Sequence, residues 1–414
     1  MTVETAEDRS NLWFIQSKFR EYYWGSIDEI DAPSDMERRE FGFFTFNKKP
    51  VRHKSFKTIG QLRDFIKVLV PSDAYYSSAY YQKPDAETMG EKNWMGADLI
   101  FDVDCDHLPT TCKAEHDEWR CTVCGRFGRG RPPTRCPECG GERLKADMWI
   151  CDKCLEATKQ ELLKLICILE EDFGISDREM FAVFSGHRGY HLHVESDTVK
   201  SMSSIERKEV VDYVTATGLN PVYHGVTMSE RPLIGPSPAD IGWGGRLARA
   251  IYTLALKTPQ ELKEAGVDGR LAKMIENNRG RIIEAWERGG VWASLREFAG
   301  PKTLERILSK ALTFMAASVD TVVTTDIHRL IRLPTTLHGK TGLKVIAMPI
   351  HKLAAFEPLR DAIAFTEGDI LVKVYKAPKI RLGGHSYGPF LDEEAVLPSA
   401  VAIFLICRNK ASPL

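Results

Sequence analysis

One alternating hexapeptide, LIFDVD at 99–104, restricts this chain more than any other feature. On a strand, successive side chains point to opposite faces, so Leu99, Phe101 and Val103 share one face while Asp102 and Asp104 share the other. Two carboxylates about 6–7 Å apart on one strand face can converge on hard divalent cations, which prefer oxygen ligands. Such a pair suits two-metal phosphoryl transfer, in which the ions stabilise the attacking and leaving oxygens. Alone, a D-x-D pair reads equally well as solvated strand-edge residues. Its apolar strand and a basic, histidine-rich segment, SGHRGYHLHV at 185–194, give it weight.

In that segment, alternation sends Tyr190, Leu192 and Val194 one way and His191 and His193 the other. The turn before it offers Ser185, His187 and Arg188 between glycines, the donors that a triphosphate requires. A second cluster lies at 320–342. Asp320 can complete a carboxylate triad with Asp102 and Asp104, and Arg329 and Arg332 share a face if DIHRLIRL forms a helical turn capped by Asp326. His338 and Lys340 sit on the turn that follows. Read in isolation, this stretch is a solvated face beside the apolar Ile327, Leu330 and Ile331.

Eight of the ten cysteines fall between Cys105 and Cys154, and six of them form three C-x-x-C pairs. In a large chain whose polar, acidic start argues against an export signal, that pattern reads as zinc rather than disulfides. Cys121, Cys124, Cys136 and Cys139 have zinc-ribbon spacing. The loop between them carries Arg126, Arg129, Arg131, Arg135 and Phe127, and is either a single-strand contact or a soluble loop tip. Cys151 and Cys154 need two upstream partners; Cys112 and His116 are the first choice, Cys105 and His107 the reserve. The expected compartment is a reducing cytoplasm.

Hydrophobic residues at 43% and charged residues at 27% describe an ordinary globular protein, and its net charge of -1 leaves nucleic-acid binding to local basic patches. The best apolar run, AVAIFLIC at 400–407, is too short to span a membrane. Helical spacing is expected over 11–24, a hairpin over 39–56, a helix over 58–71 and strands at 73–84. The stretch from 154 to Gly174 reads as a helix with Leu155, Leu162, Ile166, Leu169 and Phe173 on one stripe. Residues 218–247 read as a Gly- and Pro-rich junction, and 248–317 as helical.

Taken in order, REFGFFTF, VRHKSF, FDVD, SGHRGYHLHV and DIHRLIRLP…LHGKTG make the chain resemble the catalytic small subunit of archaeal and eukaryotic DNA primase, from about residue 12 to at least residue 350. The resemblance implies an α/β archaeo-eukaryotic primase core with a zinc-bearing knob and a helical insertion. The discontinuous core would take 1–104, 173–247 and 318–375, with a zinc-binding region at 105–154, a helical subdomain at 248–317 and a C-terminal segment at 376–414. It implies template-directed primer synthesis from nucleoside triphosphates on single-stranded DNA, together with a large subunit. By the same resemblance, Asp102, Asp104 and Asp320 match the Mg²⁺- or Mn²⁺-binding triad. Ser185, His187, Arg188, His191, Arg329, Arg332 and His338 match the triphosphate binders, and Arg39 an arginine near the incoming nucleotide. Cys151 and Cys154 match half of the family's usual zinc site; the ribbon at 121–139 is an addition. His187, where eukaryotic relatives carry arginine, points to an archaeal member. The competing readings are a gap-filling polymerase of the same superfamily and a non-enzymatic zinc-ribbon protein that binds nucleic acid.

Overall fold

A computed structural model describes residues 6–227 and 233–414; part of the junction expected at 218–247 thus lies outside the described residues. Two four-stranded antiparallel sheets share one hydrophobic core. The first orders its strands Leu330–Arg332, Asp73–Ser77, Phe41–Phe44, Pro50–Lys54. Its last strand begins with proline and is largely solvated, as befits an edge. The second orders Ile346–Pro349, Met180–Phe184, Gly189–Val194, Leu99–Asp104, with Asp102 opposite His191 and Asp104 opposite Gly189. A Cβ at Gly189 would stand 2.9 Å from the Val103 carbonyl oxygen, so only glycine lets these strands approach here.

The helix Asp152–Phe173 covers strands Gly189–Val194 and Leu99–Asp104 and ends at Gly174, whose φ of 68° forms the left-handed cap. Leu155, Leu162, Ile166 and Leu169 are buried as their spacing predicts. Phe173 leaves the stripe: it is 39% exposed and meets the Tyr213 ring edge-on at 5.1 Å.

DIHRLIRL is not a helical turn. The short helix capped by Asp320 ends at Thr325, Asp326 caps a bend by accepting from the His328 N–H, and Leu330–Arg332 pairs as a strand with Tyr75–Ser77. The open edge of the first sheet offers this segment backbone partners, and that pairing overrides its 3.6-residue spacing. Arg329 and Arg332 therefore share no helical face.

A second core runs from Val226 to Leu312. Its first helix starts at Gly242, inside the stretch expected as junction, because Trp243 is buried there and a Cβ at Gly245 would strike the Asp240 carbonyl. Arg246 ties this body to the helix Asp152–Phe173 through Asp172 at 2.9 Å and Glu171 at 2.8 Å. At the other end, a boundary at 376 would cut the strand Asp369–Ala377, which pairs with Phe390–Pro398 and Ala411–Pro413. The apolar run forms the helix Ser399–Cys407, buried in the central core against the helix Ala6–Gly25. No helix among the described residues is long and apolar enough to cross a membrane.

Candidate active site and metal centres

Asp102 and Asp104 project from the strand Leu99–Asp104. The Asp320 N–H donates to the Asp102 carbonyl at 2.9 Å, which brings the third carboxylate alongside. Burial pushes the Asp102 carboxyl up to about 7, helped by the charges of Asp104 and Asp320 and opposed by Arg329 and Arg332. A group of carboxylates that penalises its own negative charge and offers oxygen donors fits a hard dication. The tightest acidic group here is a different one: Asp104, Cys105 and Asp106 lie with donor atoms within 4.8 Å of one another. Asp106 was not anticipated; it accepts from Arg188 Nη2 at 2.6 Å.

The basic residues gather beside this floor. Ser185 Oγ accepts from the Gly189 N–H at 3.3 Å and closes the turn. At Gly186, φ is 77° and a Cβ would lie 2.8 Å from that of His338. This close approach stacks the His187 and His338 rings at 4.8 Å. Arg332 pairs with Asp73 at 2.7 Å and lies over the Tyr75 ring. His191 Nε2 stands 3.7 Å from Asp102 Oδ1. Burial, reinforced by neighbouring arginines, holds His187 and His338 well below the ordinary histidine range and lowers His191 to about 3. All three are neutral at pH 7.

Arg188 Nε and His191 Nδ1 are buried with no hydrogen-bond partner among the described residues. Orphaned polar atoms of this kind cost free energy, and here they are left to bond water or a ligand. Arg408 joins them, with Nη1 3.5 Å from His187 Nε2 and its own Nε also unpaired. Sequence patterns could not find it, because it follows an apolar helix more than two hundred residues away from His187. Thr341, whose Oγ1 donates to the Gly186 carbonyl at 2.6 Å, was equally invisible.

Two expected residues stand apart. Arg39 is fully buried and its donors are taken by Ser34, Ser77, Ser78, Tyr80 and Asp98, the last an ion pair at 2.7 Å. In this arrangement it braces the first sheet, with every donor engaged by protein groups. His193 is a core histidine, stacked on Phe181 at 4.5 Å. Arg329 offers its carbonyl to the Ser78 N–H at 2.8 Å, and its charge acts on Asp102 and His191.

The cysteines form two groups. Cys112, His116, Cys151 and Cys154 place their donor atoms within 4.8 Å of one another, as do Cys121, Cys124, Cys136 and Cys139. Sulfur separations of 3.3 Å (Cys112–Cys154), 3.6 Å (Cys124–Cys136) and 3.7 Å (Cys121–Cys139) are far too long for disulfides. They approach the edge of about 3.8 Å of a tetrahedron with Zn–S bonds of about 2.3 Å. His116 Nδ1 bonds Asp117 at 2.8 Å and leaves Nε2, 3.5 Å from Cys154 Sγ, for a metal. Cys105 packs beside this group without joining it; the His107 side chain lies outside the described residues.

Residues 138–348 match the family model of the DNA primase small subunit. A protein of Methanococcoides burtonii named DNA primase small subunit PriS is 35% identical, with 98% of this chain and 99% of the relative covered. The like-named protein of Methanothrix thermoacetophila is 34% identical over 96% of this chain and 98% of its own. That of Cenarchaeum symbiosum is 31% identical over 97% and 98%.

Proposed function

The chain belongs to the DNA primase small-subunit family, and from that premise we propose how its residues make a primer. It is the catalytic subunit of a primase, a nucleotidyltransferase that builds short primers from nucleoside triphosphates on a DNA template. Asp102, Asp104 and Asp320 would hold two Mg²⁺ or Mn²⁺ ions, which when bound activate the 3′-hydroxyl and neutralise the leaving pyrophosphate. Ser185, His187, Arg188, His191, Arg332 and His338 bind and orient the triphosphate, with Arg329 adding charge from the first sheet. Neutral histidines suit this task, since each can donate one hydrogen bond to a phosphate oxygen without adding repulsion beside Arg188 and Arg332. Arg188 must exchange Asp106 for a phosphate, which ties nucleotide entry to the turn that follows the strand bearing the carboxylates. Zinc in both cysteine groups, a large-subunit partner and a cytoplasmic setting complete the assignment.

The observation that carries this reading is the register of Asp102 opposite His191. It sets the carboxylate floor against orphaned donors suited to an anion. The two sheets form the discontinuous catalytic core, with 105–154 as its zinc-binding region and the 242–315 helices as an appended body. The test is primer synthesis on an unprimed single strand: wild type makes primers and Asp102→Ala makes none. Extension of supplied primers without initiation would show a gap-filling polymerase instead.

A further inference from the structure

The ribbon carries a surface that the catalytic chemistry does not use. Its sheet orders Phe127–Arg129, Glu118–Cys121, Leu144–Asp147. The register sets Arg120 opposite both Phe127 and Lys145, so these three side chains form one row across one face. Trp119 points to the other face and packs so closely on Gly128 that a Cβ there would lie 2.3 Å from the indole. With tryptophan inside, phenylalanine is turned out: Phe127 is 46% exposed.

Charge on this face is not balanced. The acids of the neighbouring row are already engaged, Glu118 by Lys376 at 2.7 Å and Asp147 by Lys410 and Arg408. Arg126 and Arg135 have Glu138 and Glu142. Arg120 and Lys145 have no ion pair among the described residues, and Lys376 adds a third cation 4.9 Å from the centre of the Phe127 ring. An exposed ring at the end of a row with two unpaired cations, and a third over its face, is an arrangement by which proteins hold single strands, bases on the ring and phosphates on the charges. A duplex keeps its bases stacked inside and cannot offer one. The face is also continuous with the nucleotide site, since Asp147, two residues along from Lys145, contacts Arg408, which stands beside His187.

We propose that the row Phe127–Arg120–Lys145 is a binding site for single-stranded DNA, which leads the template towards the catalytic floor. The test is binding of a labelled oligothymidylate, and of a duplex, to the full chain across a salt series without nucleotide. Phe127→Ala should weaken single-strand binding roughly tenfold and leave duplex binding unchanged. Arg120→Ala with Lys145→Ala should lower the slope of log affinity against log salt by about 1.4, the loss of two contacts at about 0.7 each. Arg135→Ala, whose partner is within the ribbon, should leave that slope unchanged. Zinc counts equal to wild type show that each variant keeps the ribbon folded. Wild-type affinity and slope in both variants would overturn the proposal and leave the face to a protein partner. Equal weakening of single strand and duplex by Phe127→Ala would overturn the stacking role.

Discussion

Asp102→Asn should stabilise the protein in the absence of added Mg²⁺ or Mn²⁺, and only where the carboxyl ionises. In the folded chain, burial and the charges of Asp104 and Asp320 raise this group from 3.8 to about 7. The folded state therefore holds the proton more tightly than the unfolded state, and stability falls as pH rises from about 4 to about 7. Above that window the penalty is complete, at about 1.4 kcal/mol for each of about three pH units, or roughly 4 kcal/mol as a ceiling. The Asp102 side chain is 23% exposed, so water lowers this to about 2–4 kcal/mol. Thermal melts of both proteins without added divalent ions, at about pH 5 and about pH 8, should show a gain of several degrees that grows with pH. Mn²⁺ should then raise the melting temperature of wild type more than that of the variant, because a dication reverses the repulsion only where the carboxylate remains. An equal or lower melting temperature for Asp102→Asn at both pH values would refute the electrostatic account of this site.

Arg188→Ala or Arg332→Ala should raise the KM for nucleotide about ten- to a hundredfold, the loss of a charge-assisted phosphate contact worth about 1.5–3 kcal/mol. Steady-state kinetics at fixed template check this, and normal KM with weakened template binding would contradict it. Arg39→Ala should instead cost about 3–5 kcal/mol of stability by stranding the buried Asp98. Denaturation reports that loss, and a well-folded variant with only a raised KM would support a nucleotide role for Arg39 instead. Cys151→Ser with Cys154→Ser should lower the melting temperature and both priming and extension, since Cys154 packs beside the turn that follows Asp104. Cys136→Ser with Cys139→Ser should spare melting and extension but lower priming; zinc counts with paired activity assays decide between the two.

Local patterns reveal in sequence whatever local physics determines. The alternation of LIFDVD, the left-handed cap at Gly174 and both cysteine groups could be read because each depends on spacing along a few residues. DIHRLIRL was misread because an open sheet edge some 250 residues away supplied backbone partners that helical spacing does not reveal. The partners of Arg39 are hidden in the sequence for a related reason. Whether an arginine faces a ligand or a buried Asp98 depends on which strand lies behind it, and that is decided only in the assembled fold. Arg408, Thr341 and Asp106 had no signal at all, since single polar residues acquire meaning from neighbours distant in the chain. The apolar run 400–407 was visible as hydrophobic but not as the helix that closes the core against Ala6–Gly25.

The most direct test of the catalytic assignment is the position of Mn²⁺ in crystals of the full chain grown with a non-hydrolysable nucleoside triphosphate. Anomalous peaks should lie among Asp102, Asp104 and Asp320, with the phosphates against Ser185, Arg188 and His338. Mn²⁺ held by Asp104 and Asp106 alone, with Asp102 and Asp320 outside its coordination sphere, would contradict the account.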